Sequence, residues 1–195
     1  MKRFLCMLAV LLPLALVGCD KPGKPLSFQN TDITGLDYAK NFSLTDQNGQ
    51  QRTLADFKGK VVVMFFGYTQ CPDVCPTTMA ELSKVMQQLG PQADQVQVLF
   101  VTVDPERDTQ ELLKQYVPNF DKRFLGLRGS AEETKAVAKE FKVFYQKVPG
   151  SQPDSYSMDH TAGMYVFDKS GKVRLFIRNG QAPEAITSDI KQLLG

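Results

Sequence analysis

Cys71, Cys75 and His160 are the side chains in this 195-residue sequence best suited to chemistry. The two cysteines lie in Gly67-Tyr68-Thr69-Gln70-Cys71-Pro72-Asp73-Val74-Cys75-Pro76. An apolar run, Val61 to Phe66, leads into that stretch, and a helical pattern from Thr77 to Leu89 follows it. A buried strand is therefore expected to end in a loop that opens a helix, with both thiols at the junction. The Cys-x-x-x-Cys spacing sets the sulfurs about one helical turn apart, on one face. The positive end of a helix favours thiolate over thiol. Two such sulfurs can form a Cys71–Cys75 disulfide or hold a soft metal ion. A bridge across so few residues constrains little chain, so the pair reads as chemical rather than structural.

The elements that must position these residues alternate. Asn41 to Leu44 and Gln51 to Leu54 flank an Asn-Gly turn, a hairpin signal. Ala55-Asp56-Phe57 suits one helical turn. Val96 to Val103 reads as a second buried strand, ended by Asp104-Pro105. Asp108 with Glu111 resembles a capping pair for a helix reaching about Val117, and Ser130 with Glu133 a cleaner one for a helix to about Phe141. Phe124 to Leu127 and Val143 to Tyr145 read as short strands, and Pro149 to Ser157 as a polar loop. A late hairpin, Met164 to Phe167 with Val173 to Ile177, precedes a helix from Pro183 to Leu194. This order predicts an α/β domain with a mixed central sheet flanked by helices and an N-terminal hairpin extension. Ligands of such sheets sit beyond the carboxyl ends of strands, where Cys71–Cys75 and Asp104–Asp108 both fall.

The N-terminus is set apart. Lys2 and Arg3 precede an apolar stretch, Phe4 to Val17, too short and too broken by Pro13 to span a bilayer. It ends in Leu16-Val17-Gly18-Cys19, which resembles the lipobox of bacterial lipoproteins. That resemblance implies a signal peptide over 1–18, lipidation at Cys19, a Pro/Gly-containing tether over 19–30 and a folded domain over 31–195. Asp20 after the cysteine implies retention at the bacterial inner membrane, facing the periplasm. Of the four cysteines, Cys6 then leaves with the signal peptide and Cys19 takes the lipid, so Cys71 and Cys75 remain. Losing Lys2 and Arg3 from 23 basic residues balances the 21 acidic ones, leaving no basic field for nucleic acid.

A strand ending in paired cysteines, with a late hairpin and a terminal helix, resembles the thioredoxin superfamily. Oxidoreductases of that fold usually have two residues between the cysteines and a cis-proline before the late hairpin. Here there are three, and the segment Met158-Asp159-His160-Thr161-Ala162-Gly163-Met164 holds no proline but does hold the sole histidine. The fold analogy places His160 beside Cys71 and Cys75. Two thiolates and an imidazole suit copper, as Cu(I) or Cu(II); zinc also accepts such donors.

Three stretches sharpen the resemblance: Phe66 to Pro76, Val103-Asp104-Pro105-Glu106-Arg107-Asp108-Thr109, and Asp159-His160-Thr161. Together they are similar to the motifs of the Sco (SenC) family of copper-binding thioredoxin-like proteins. The resemblance implies a copper metallochaperone for the binuclear centre of cytochrome c oxidase, with Cys71, Cys75 and His160 as ligands. The implied partners are oxidase subunit II or another copper-accepting protein, and a thiol reductant protein. Rival readings are a thiol–disulfide reductase keeping the oxidase's cysteines reduced, a peroxidase with Thr69 near its cysteine, and a redox sensor without turnover. Asp108 is expected as an N-cap, Arg107 as a partner of Asp104 or of another protein, Asp73 as a first-turn residue, Pro72 and Pro76 as shapers of the loop, and Met158 as packing.

Overall fold

The computed structural model describes residues 26–152 and 155–195. The expected signal peptide, the expected lipidation site Cys19 and most of the expected tether lie outside the described residues. Strand β4 (Val61–Gly67) is buried at every position and forms the middle of the sheet. Its β-branched and aromatic residues fit a pleated surface covered on both faces. It runs parallel to β5 (Val96–Thr102), which runs parallel to β6 (Leu125–Arg128). On its other side lie β9 (Met164–Phe167) and β10 (Val173–Ile177), both paired antiparallel. A two-residue strand, β1 (Thr31–Asp32), closes that edge; β2 (Ser43–Asp46) and β3 (Gln51–Thr53) close the other. The sheet order is β1-β10-β9-β4-β5-β6-β2-β3. The mixed sheet and the edge hairpin are as expected; β1, too short to leave a pattern, is an addition.

Helix α1 (Val74–Leu89) packs against α4 (Pro183–Leu194), while α2 (Gln110–Tyr116) and α3 (Ala131–Glu140) lie along the β6 and β2 side. The Ser130–Glu133 capping box is present in full. Asp108 does not cap α2. Thr109 does, accepting from the Leu112 amide at 3.2 Å, because Asp108 is drawn inward to other donors.

The expected loop over 149–157 is a loop in its middle but is bounded by strand at Pro149 and from Tyr156 on, and the short strand expected over Val143 to Tyr145 begins only at Tyr145. β7 (Tyr145–Pro149) pairs antiparallel with β8 (Tyr156–His160) in a separate two-stranded ribbon, with Tyr145 opposite His160. β8 alternates, with Tyr156, Met158 and His160 turned inward and Ser157 and Asp159 exposed, but over only five residues of mixed polarity, and β7 does not alternate, so the pair leaves a weak strand signal.

Candidate functional site

The dithiol sits where β4 meets α1. Residues 68–73 form the connection, and α1 begins at Val74, three residues earlier than its pattern suggests. Asp73 is the N-cap residue rather than a first-turn residue, and its carbonyl accepts from the Thr77 amide at 3.1 Å. Pro76 stands in the first turn, where a missing amide hydrogen costs no helical bond. Only Cys75 is helical. Cys71 lies before the helix, half-buried, and its sulfur accepts the Cys75 amide at 3.4 Å. The sulfurs therefore do not share a helix face; one thiol sits over the first exposed amides of the helix that carries the other. Both cysteines are free thiols here.

Cys75 is fully buried. Burial pushes its thiol well above the ordinary value, and the Tyr68 backbone amide opposes the shift without overcoming it. The expectation that a helix N-terminus makes this sulfur a ready thiolate is overturned: desolvation outweighs the dipole. The close approach of sulfur to backbone requires glycine at 67. A Cβ there would stand 3.0 Å from the Cys75 sulfur and 2.9 Å from Phe100 Cε2.

His160 reaches the site from the end of β8. Its Nε2 lies 3.6 Å from Cys75 Sγ. Its Nδ1 lies 3.1 Å from the Thr161 carbonyl oxygen, which can only accept, so Nδ1 carries the hydrogen and Nε2 offers a lone pair toward the sulfur. Tyr68 and Phe65 set the ring edge-on, at centroid distances of 5.9 and 6.3 Å. Burial lowers the imidazole pKa, with the Thr161 carbonyl and Asp159 opposing, so the neutral, ligating form is favoured. An ion about 2.3 Å from sulfur and about 2.0 Å from nitrogen, at a near-tetrahedral angle, holds these donors about 3.5 Å apart. The observed spacing fits such sharing. Among the described residues, however, no three His, Cys, Asp or Glu stand assembled as a closed metal cluster. Cys75 and His160 face each other, with Cys71 beside Cys75.

The remaining candidates surround this pair. Asp108 is fully buried and ties the dithiol loop to the end of β5. It accepts from the Thr69 amide at 3.0 Å, the Thr69 hydroxyl at 2.6 Å and the Thr102 hydroxyl at 2.5 Å. Burial raises its carboxyl pKa despite these donors. Arg107 pairs with Asp104, as one expectation had it. Met158 is packing, only 6% exposed. Sequence reasoning missed Gly67, the Thr161 carbonyl and Tyr156; of these, only Gly67 left a signal, a residue without a side chain closing an apolar strand before the thiols.

Fold and site together define a thioredoxin-like domain that presents two thiols and a facing imidazole. The chain belongs to the SCO1/SenC family, whose model matches residues 30–195. It is 38% identical over 154 residues to the bovine mitochondrial SCO2 homologue, covering 78% of this chain and 58% of that protein. It is 34% identical to a SCO2-like protein of Rickettsia felis, covering 87% of this chain and 84% of that one. Among solved structures, Bradyrhizobium japonicum ScoI with copper bound is 41% identical, with a TM-score of 0.75, over 81% of this chain and all of that one.

Proposed function

We propose that this protein holds copper through Cys71, Cys75 and His160 and hands it on to a copper-accepting protein, oxidase subunit II in the family reading. The observation that carries the proposal is the apposition of Cys75 Sγ and His160 Nε2 at 3.6 Å with the tautomer set for ligation. The copper-bound ScoI relative supports copper over zinc. Copper is cargo in this reading. Cys75 gives up its proton on binding, which the buried, neutral thiol otherwise keeps. Cys71, half-exposed, is the donor an acceptor reaches first, so transfer proceeds one donor at a time from that side. Cys19 supplies a lipid anchor at the bacterial inner membrane, with the domain facing the periplasm. Among the described residues no helix is long and apolar enough to cross a membrane.

A second reading is favoured by one observation: Cys71 is accessible, unbridged and next to a buried partner thiol. That is the layout of a dithiol reductant. Cys71 attacks a partner's disulfide, Cys75 displaces the mixed disulfide, and the Cys71–Cys75 bridge forms as the partner's two thiols are released. A thiol reductant protein then restores the pair.

Metal analysis of the reduced full-length protein tests the first reading. One copper per chain is expected in the wild type, with strong loss in Cys71→Ala, Cys75→Ala and His160→Ala. His160→Ala that loses copper but keeps the thiol-reductase rate and the role in oxidase assembly would leave the reductant reading in its place.

A further inference from the structure

His160 stands at the end of a ribbon that, among the described residues, pairs with no other strand: β7 and β8 form their own two-stranded sheet. Isolated two-stranded hairpins are marginal in water, so something must hold this one against the dithiol. Met158 anchors β8 in the core, and the loop between β5 and α2 supplies a polar hold at the end of the ribbon nearest the dithiol loop. The Arg107 guanidinium stacks on the Tyr156 ring, 3.6 Å from its centroid. One of its nitrogens donates to the Tyr156 carbonyl at 2.8 Å and to Gln70 Oε1 at 3.2 Å. Another donates to Asp104, which also accepts the Tyr156 hydroxyl at 3.0 Å. Glu106 pairs with Lys147 on β7 at 2.5 Å. A single planar cation thus touches the strand that bears His160 and the residue that precedes Cys71. Arginine suits this place because its rigid fork makes several directed bonds while its planar face stacks; lysine brings a point charge without that fork or plane.

We infer that Arg107 is a positioning residue: with Tyr156 and Asp104 it latches the β7–β8 ribbon to the dithiol loop and so holds His160 within reach of Cys75. The inference rests on the copper-holding reading for its consequence, but the latch itself exists without metal. If the ribbon lifts, the fraction of molecules with all three donors in place falls, and apparent affinity falls with that fraction.

The test is amide hydrogen exchange on the reduced, metal-free full-length protein, beside Cu(II) affinity on the same samples. Arg107→Met, which keeps the stem and removes the fork, is expected to speed exchange across the two ribbon strands about tenfold or more while β4 and β5 stay protected, and to weaken copper by the factor through which the closed, three-donor fraction falls. Arg107→Lys is expected to fall between, and Arg107→Met combined with His160→Ala to lose little more copper affinity than His160→Ala alone. Should Arg107→Met not fold, Tyr156→Leu carries the same comparison. Ribbon exchange within about twofold of wild type overturns the latch, as does a copper loss that adds fully to that of His160→Ala. A wild type that binds no copper defeats the functional reading instead, and the exchange result still decides the latch.

Discussion

Gly67→Ala adds one methyl group at the place where strand, sulfur and two aromatic rings converge. The added carbon would lie 2.9 Å from Phe100 Cε2, 3.0 Å from Cys75 Sγ and 3.0 Å from Phe65 Cε1. All three neighbours are buried, with Phe65, Cys75 and Phe100 at 0% exposure, so none can swing into solvent. Three simultaneous contacts that tight force the backbone or the sulfur to move, and overpacking of this kind costs roughly 1–3 kcal/mol. For a domain of this size a loss of about 2 kcal/mol lowers Tm by roughly 4–8 °C. Cys75 is the neighbour at the helix mouth, and a small displacement there spoils the 3.6 Å approach to His160. The variant is therefore expected to lose copper affinity beyond its loss of stability. The assay is a thermal melt of the reduced metal-free protein paired with a copper titration well below Tm. A melt unchanged within about 1 °C and a wild-type titration would refute the reasoning that sulfur packing fixes this glycine.

Three further outcomes follow from the burial of the site's groups. Cys71 is half-exposed and Cys75 is buried with a raised thiol pKa, so limited iodoacetamide treatment is expected to alkylate Cys71 at least about tenfold faster, as read by peptide mass spectrometry. Equal labelling would contradict the assigned burial. Because Cys75 must release a proton to bind metal, copper affinity is expected to rise with pH across the neutral range, and a pH-independent titration would count against a thiolate at that position. Burial also holds the His160 pKa below its ordinary 6.5, so the unfolded chain takes up that proton more readily than the folded one. Stability is then lost as pH falls below about 6.5, and the loss levels off beneath the lowered folded value. In urea melts, His160→Gln is expected to show a shallower fall over this window than wild type, and parallel curves would remove the buried imidazole from the account.

How much of this was legible beforehand depends on how local each cause is. The β4 run, the Ser130–Glu133 box and the Asn-Gly hairpin are written in a few neighbouring residues, and the structure bears each out. The dithiol and the lone histidine were legible by residue type. Their apposition came from the fold analogy, since no local pattern links such distant positions. Asp108 was misread for a reason of the same kind. It and Thr109 are both good caps, and what decides between them is a nonlocal contact: Thr69 and Thr102 claim the Asp108 carboxylate. Most of the β7–β8 ribbon escaped because its inward side is short, Tyr145, Tyr156 and Met158, and much of its hold comes from Arg107, Asp104 and Glu106 across the molecule. The charge state of Cys75 escaped because a helix start can be read from sequence, whereas the depth of burial that overrides it cannot.

In the proposed function one imidazole and the thiol pair hold one ion. His160 is the sole histidine, so histidine labelled with nitrogen-15 marks that ring alone. Electron paramagnetic resonance of the Cu(II)-loaded full-length protein, with and without that label, measures whether the ring nitrogen is bound. The account predicts a changed nitrogen hyperfine pattern on labelling, and a sulfur-rich spectrum that collapses in Cys71→Ala and Cys75→Ala; an identical pattern with and without the label would contradict it.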